Sequence, residues 1–381
     1  LSVGEAWALE LKGLTARVGQ PTHKRLLQLM FEKYKLKTHL AAIKKFLLLG
    51  QGDFVVTLLD ALAPELEKPA SECFHHALLS TVDGALRSSS SAFESLDGGG
   101  PEVLERLGVK LLRASPGDSG WEVFSLEYRV DPPLNAIITQ AQLKKYRNVF
   151  HLLWRLKRTD HSLNKSWRQH MLGAKGRLTK RLPGLAAPLH QVGLLRARMM
   201  HLVSNLSSYM MFEVLEESWA KLITSLDEAK DMNDLVLAHE SYLAEITWRA
   251  LLTPDLAEVV EQLHCVLDTC LNFTANSDTL FQDALSELGR LDAVQERARQ
   301  RSLQGGWAVA GASEEDEDER PGTVGGVSRV TLAQLQQLGV DFGQAMDRLV
   351  ALLRATEAIT GSEIMRFLIF RLDFNGFHGL A

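Results

Sequence analysis

Apolar positions recur at helical spacing along most of this chain. Leu26, Leu27, Met30 and Phe31 open one face, and Tyr34, Leu36, Leu40, Ile43 and Leu47 carry the same period onward. The run stops at Leu49-Gly50-Gln51-Gly52-Asp53-Phe54. Glycine accepts left-handed backbone angles, so Gly50 and Gly52 suit a helix end and a turn. Asp53 reads as the N-cap of a helix beginning at Phe54. Pro64 and Pro69 punctuate the next stretch, and Ser88 to Ser91 with Gly98-Gly99-Gly100-Pro101 bracket a loop. A longer helix opens at Thr139, where Gln142 three residues on completes a capping box. Leu143, Tyr146, Phe150 and Leu153 form its stripe, and Leu156, Leu163, Trp167 and Met171 extend it. Pro183 and Pro188 mark a break. Further helices are expected from Leu194 to Glu217, from Asn233 to Leu252, and from Leu256 to about Arg297. The period returns at Val330 with Leu332, Leu335, Leu338, Phe342, Met346 and Leu349, and the chain closes on Phe367, Leu368, Phe370, Leu372 and Phe374. Long helices joined by short turns predict a mainly α protein built of stacked helical bundles.

Two segments depart from that pattern. Val109 to Arg113 predicts a strand, and Trp121 to Val130 predicts its partner, with Phe124, Leu126, Tyr128 and Val130 alternating onto one face. The turn formers Ser115 to Gly120 lie between them, and Asp131-Pro132-Pro133 stops the second strand, so one small β-hairpin is expected. Glu314 to Glu319 is an unbroken acidic run between glycine-rich flanks. Such a segment cannot bury enough apolar surface to offset its ordering entropy, which predicts a disordered acidic loop over 303–329. The implied organisation is a lead-in over 1–23, a helical domain over 24–302 that contains the hairpin at about 109–130, the acidic loop, and C-terminal helices over 330–381 packing back on the same domain.

Composition narrows the function classes. The chain has 381 residues, 46% of them hydrophobic and 23% charged, enough to bury a large core without metal or disulfide staples. Lys and Arg number 42 against 47 Asp and Glu, a net charge of −5, which argues against a globally basic nucleic-acid binder. Cys73, Cys265 and Cys270 are too few and too scattered for a disulfide scaffold, so a reducing, intracellular setting is expected. No run of about 18 uncharged apolar residues is present, and no signal peptide is recognisable. The chain opens on Leu1, as a fragment or a processed piece would.

Candidate chemistry is sparse. Gly117-Asp118-Ser119-Gly120 matches the nucleophile segment of trypsin-type proteases, but that mechanism needs a His base and a buried Asp on a β scaffold. A turn is the better reading. Gly50-Gln51-Gly52 lacks the lysine that a phosphate-cradling loop requires. His75-His76, His161 with His170, and Cys265 with Cys270 do not have zinc-ligand spacing, and both cysteines suit a buried helix face. No cofactor or metal is implied. Three glycosylation acceptors, at Asn164, Asn205 and Asn272, fall in predicted helices and are discounted.

The clearest anomaly is electrostatic. Between Gln142 and Arg181 stand Lys144, Lys145, Arg147, Arg155, Lys157, Arg158, Lys165, Arg168, Lys175, Arg177, Lys180 and Arg181, opposed only by Asp160. One reading is a solvated face, or one paired with acidic helices elsewhere. The other is a docking face for an acidic partner. A nucleic-acid-binding helical protein using 142–181 is the alternative, although no recognition motif supports it.

Several separated motifs resemble one family in order. They are Phe124-Ser125-Leu126-Glu127-Tyr128-Arg129-Val130-Asp131, then Pro133-Leu134, Leu143-Lys144-Lys145-Tyr146, Val149-Phe150 and Leu153-Trp154-Arg155-Leu156-Lys157-Arg158. Tyr34 through Phe54, Phe212-Glu213-Val214-Leu215-Glu216 with Trp219, Ala238-His239-Glu240 with Tyr242-Leu243, and the closing Phe370-Arg371-Leu372-Asp373-Phe374-Asn375 continue the match. From about Lys24 to Phe377 the chain is similar to the C-terminal half of the gamma-tubulin complex proteins, most like the component 3 branch. The resemblance implies a non-enzymatic scaffold that binds gamma-tubulin. In a full-length protein it would also join sibling components, mainly through an N-terminal half, in a complex that nucleates microtubules. It implies residence in the cytoplasm and cytoskeleton at a microtubule organising centre, the centrosome or spindle pole, with neither nucleic acid nor membrane as a partner. The contact residues expected are Gln51, Asp53 and Phe54 at the corner, Arg147, Arg155, Lys157 and Arg158 on the basic helix, and His239 with Glu240. The competing readings place Phe54 in the core and pair Arg155 internally with Glu213 or Glu216.

Overall fold

The structure, a computed structural model, describes residues 19–90, 105–172, 175–303, 323–324, 327–373 and 376. Helix α1 (19–28) passes into a π turn, Leu29–Lys33, and the helical run expected through Leu47 then breaks at Lys35, whose backbone is left-handed (φ 49°). Helix α2 (Leu36–Ala42) widens into a second π turn, Ile43–Leu47. The left-handed residue at the following corner is Leu49 (φ 52°), not Gly50 or Gly52. Gly50 is needed for closeness instead: a Cβ there would stand 2.9 Å from the Lys44 carbonyl oxygen. Helix α3 (Gly52–Leu66) starts at Gly52, with Gln51 at its N-cap, so Asp53 lies inside the first turn and does not cap it. Helix α4 follows at His75–Ser88.

Strands β1 (Leu107–Leu111) and β2 (Phe124–Tyr128) pair antiparallel, Leu107 opposite Tyr128 and Leu111 opposite Phe124. The expected hairpin is there, but its second strand is shorter. Trp121 and Val123 belong to a helical turn, Gly120–Val123, in which Ser119 and Glu122 form a capping box.

Helix α5 (Gln140–Leu172) opens as its sequence predicts: the Thr139 N–H donates to Gln142 Oε1 at 2.7 Å, and the Gln142 N–H to Thr139 Oγ1 at 3.4 Å. Helix α6 covers Lys175–Arg181. A 3₁₀ turn at Pro183–Leu185 makes the break, whereas Pro188 sits in the first turn of α7 (Ala186–Ser208), where its missing N–H has no partner to lose. The helix expected to end at Glu217 continues: α7 runs through an eight-residue π segment, Tyr209–Glu216, into α8 (Glu217–Glu228). Helix α9 (Met232–Arg249) is capped by Asp231, which accepts from the Asp234 N–H at 2.8 Å. Helices α10 (Ala257–Leu303), α11 (Arg329–Thr360) and α12 (Glu363–Leu372) complete the chain, with Gly361 (φ 62°) ending α11 and Ser362 capping α12.

These elements fall into two compact units. The first ends at Lys157 and resumes over Ser208–Leu256; the second takes Arg158–Ser207 and the chain from Ala257 onward. The first unit's core is aromatic. Phe124 on β2 lies 5.1 Å from Trp154 on α5, Phe150 stacks on Trp154 at 5.7 Å and 15°, and Trp121 lies 5.7 Å from the same ring. Phe46 meets Phe54 edge-on at 5.3 Å. In the second unit α10 packs along α11, pinned where Gln262 Nε2 donates to the Ala345 carbonyl at 2.9 Å.

The acidic run Glu314 to Glu319 lies outside the described residues. At the C-terminal edge of the predicted loop two short strands, β3 (Thr323–Val324) and β4 (Val327–Ser328), pair antiparallel. Cys270 is buried as expected, but Cys265 is exposed. Five residues along a helix turn through about 500°, which puts the two on different faces.

One glycine ties the hairpin to α3. A Cβ on Gly120 would sit 2.7 Å from Cys73 Sγ and 2.8 Å from Leu66 Cα. Gly120→Ala is therefore expected to destabilise by about 1–3 kcal/mol in urea unfolding. At Gly52 an added Cβ meets nothing within 4 Å, so Gly52→Ala should be neutral or slightly stabilising in the same assay.

Candidate functional site

The corner at Leu48 to Asp53 is held from both sides. The Gly50 and Gln51 N–H groups donate to the carbonyls of Lys44 and Lys45 at 3.2 and 3.1 Å. Gln51 Nε2 donates to Ser90 Oγ at 3.0 Å, and Asp53 Oδ2 accepts the Ser90 N–H at 2.7 Å. The bonds from Ser90 hold the Asp53 carboxyl below the usual carboxylate range. Asp53 is exposed and Gln51 half-buried, but Phe54 is 0% exposed and belongs to the core. The corner therefore presents the exposed Asp53 to solvent, with the Gln51 amide oxygen turned inside and Phe54 as its anchor underneath.

The basic stretch divides by position. On α5, Lys144 and Lys145 are exposed, Arg147 is half-exposed, and Arg155, Lys157 and Arg158 are half-buried and already engaged within the fold. Further on, Arg177 and Arg181 both reach Asp292, at 2.7 and 3.3 Å. Part of the excess charge is thus neutralised internally, and Glu216, one partner considered for Arg155, goes to Lys44 at 2.7 Å.

His239 is not on the surface. It is 0% exposed, accepts from the Tyr146 hydroxyl at Nε2 (2.9 Å) and donates from Nδ1 to the Ile137 carbonyl (3.3 Å). Both ring nitrogens are used by the neutral form, and burial lowers the pKa to about 4. Its neighbour Glu240 is exposed. Expected as contacts, Phe54 and His239 instead position the exposed residues around them, because the hydrophobic period and the two hydrogen bonds draw them inside.

The π segment gives a feature that periodicity missed. A π helix adds residues per turn, so the buried face slips. Val214 and Leu215 are fully buried, while Phe212 is 64% exposed. A charge cluster fixes this segment. Arg249 donates to Glu217 through both terminal nitrogens (2.7 and 2.9 Å), to Glu245 (2.8 Å), and to the Glu213 carbonyl (2.6 Å). Arg249, then Lys221, draws the Glu217 carboxyl down to about 2. Lys44 also stands 5.1 Å over the Trp219 ring. An aromatic at an off-period position beside Glu213 and Trp219 was the available signal for Phe212.

Catalytic chemistry is not assembled around the protease-like segment: the Ser119 hydroxyl is committed to Glu122 at 2.8 Å. Among the described residues no three His, Cys, Asp or Glu side chains converge as metal ligands. Among them, too, no single helix is long and apolar enough to cross a membrane.

The family model for the gamma tubulin complex component C-terminal region matches residues 36–378. The chain is 37% identical over 354 residues to gamma-tubulin complex component 3 of Homo sapiens, covering 93% of this chain and 38% of that protein. It is 33% identical to gamma-tubulin complex component 3 of Arabidopsis thaliana, covering 99% and 44%. It is 39% identical to spindle pole body component alp6 of Schizosaccharomyces pombe, covering 70% and 32%. The chain thus spans about two fifths of the length of the first of these relatives.

The buried histidine makes an acid-stability prediction. A folded-state pKa of about 4 against 6.5 unfolded means the contribution of His239 is complete above pH 6.5 and lost as pH falls toward 4. The loss is on the order of 3 kcal/mol. Urea midpoints measured at pH 7 and pH 4.5 should show a smaller drop for His239→Gln than for the unmodified chain.

Proposed function

The chain belongs to the gamma-tubulin complex component family, and from that membership we propose that it is a scaffold segment that binds gamma-tubulin. Within a longer protein it would help to arrange gamma-tubulin in a complex that nucleates microtubules, at a microtubule organising centre. The observation that carries this reading is the family match, continuous across nearly all the helical elements. The family is one of structural components and not of enzymes. Association with sibling components is assigned mainly to the parts of the longer relatives that this chain does not match.

The proposed contact surface lies in the first unit and uses the groups that solvent reaches. These are Gln51 and Asp53 at the corner, Arg147 with neighbouring Lys144 and Lys145 on α5, Glu240 on α9, and Phe212 on the π segment. Arg155 and Lys157 contribute positive potential from half-buried positions, while Arg158, also half-buried, falls in the second unit. Phe54 and His239 hold this surface from beneath. Exposed aromatics inside a charged rim are the usual anchors of protein interfaces, and the charges around them mainly govern the rate of encounter.

The test is binding of this chain to purified gamma-tubulin as salt is raised. A saturable complex at low salt that weakens with salt is expected; no complex at any salt rejects the proposal. Phe212→Ala is expected to weaken that complex about tenfold while leaving the melting temperature unchanged. Lys144→Glu with Lys145→Glu should mainly slow association and flatten its salt dependence.

A further inference from the structure

In the second unit a cavity of about 690 Å³ opens between the end of α5, the beginning of α7 and the middle of α10. Trp167, Met171 and Leu194 stand around it and are 44%, 51% and 56% exposed, an unusual amount of solvent-facing apolar surface in one place. Leu280 and Phe281 from α10 line the interior. The size and the mainly apolar lining are those of a small-molecule pocket, a class of about 300–1,000 Å³.

One cation is built into its wall. Arg196, 5% exposed, donates from Nη2 to His170 Nδ1 at 2.6 Å and to Ser277 Oγ at 2.5 Å. A guanidinium only donates, so His170 must accept at Nδ1 and carry its proton on Nε2. That Nε2 meets Asp278 Oδ1 at 3.0 Å, and the Ser166 hydroxyl donates to the same oxygen at 2.5 Å. Asp278 is thus bonded to His170 and Ser166, and its charge also acts on Arg196. Arg196 Nε is buried and has no acceptor. A buried charge is costly to leave without a counter-charge, and Arg196 lines the cavity, so an anion there would offset it.

We propose that this cavity binds a small amphiphilic carboxylate, its headgroup taken by Arg196 and its apolar tail lying against Phe281 and Trp167. A neutral apolar guest brings no counter-charge to the guanidinium, and a cationic amphiphile is repelled by it. Every residue involved lies in the second unit.

The glycine at the cavity supplies a test that spares the core. Gly193 lines the cavity, and a Cβ there meets nothing within 4 Å, so Gly193→Leu starts its side chain in open space at the cavity. Decanoate, decanol and decyltrimethylammonium are titrated into the full chain by calorimetry, below the concentrations at which they self-associate. Saturable one-to-one binding of decanoate, at least about tenfold tighter than that of the other two, is expected. Gly193→Leu should abolish it while keeping the melting temperature, and Arg196→Met should bind decanoate no better than decanol. Equal affinity for decanoate and decanol, undiminished binding to Gly193→Leu, or the lack of a saturable site would overturn the proposal. If Arg196→Met does not fold, the headgroup comparison and Gly193→Leu still decide it.

Discussion

The apolar face of α5 has to be covered, and most of the first unit is the consequence. Tyr146, Val149, Phe150, Leu153 and Trp154 are each 2% exposed or less. Burying side chains of this size stabilises by roughly 1.5–3 kcal/mol apiece, more than any surface ion pair in the molecule. The hairpin supplies Phe124 and Trp121 to that face, and α9 supplies His239 to Tyr146. Once the face is committed, the opposite side of the helix must meet water, and that is where Lys144 and Lys145 stand. The candidate docking surface is in this sense the back of the core.

Polar groups that the packing draws inside are matched with partners, and the matching sets their protonation. His239 is held neutral between a phenol and a carbonyl. Arg249 is buried against two glutamates and a carbonyl, which fixes the π segment and turns Phe212 outward. Arg196 and Arg249 each keep one buried donor, Nε, that faces no acceptor. Of the two, Arg196 lines the cavity.

Legibility in the sequence followed the range of the interaction. The Thr139 and Gln142 box was readable because both partners lie within one turn, and nothing distant competes for them. Asp53 has the same short-range signature but was misread, because Ser90, 37 residues away, takes its carboxylate. The left-handed backbones at Lys35 and Leu49 had no signal, since neither residue type prefers that region and tertiary packing holds both there. Trp121 opened the predicted second strand, yet the capping box at Ser119 turned it into helix. Of the candidate contacts, Gln51, Asp53, Arg147 and Glu240 are at least partly open to solvent, while Phe54 and His239 are in the core. Amphipathic spacing tells which residues share a face, but not which neighbour will come to cover it.

By itself the chain's order of residues determined the helical class, the hairpin, the excess of positive charge on α5, and membership of a family recognisable from motifs in sequence order. Those are properties of local period and residue identity. The tertiary structure alone decided that α7 runs on through eight π-helical residues, that Phe212 is exposed, and that Arg196 lines a cavity. Each depends on contacts between residues far apart in the chain, and a one-dimensional pattern holds no distance between them.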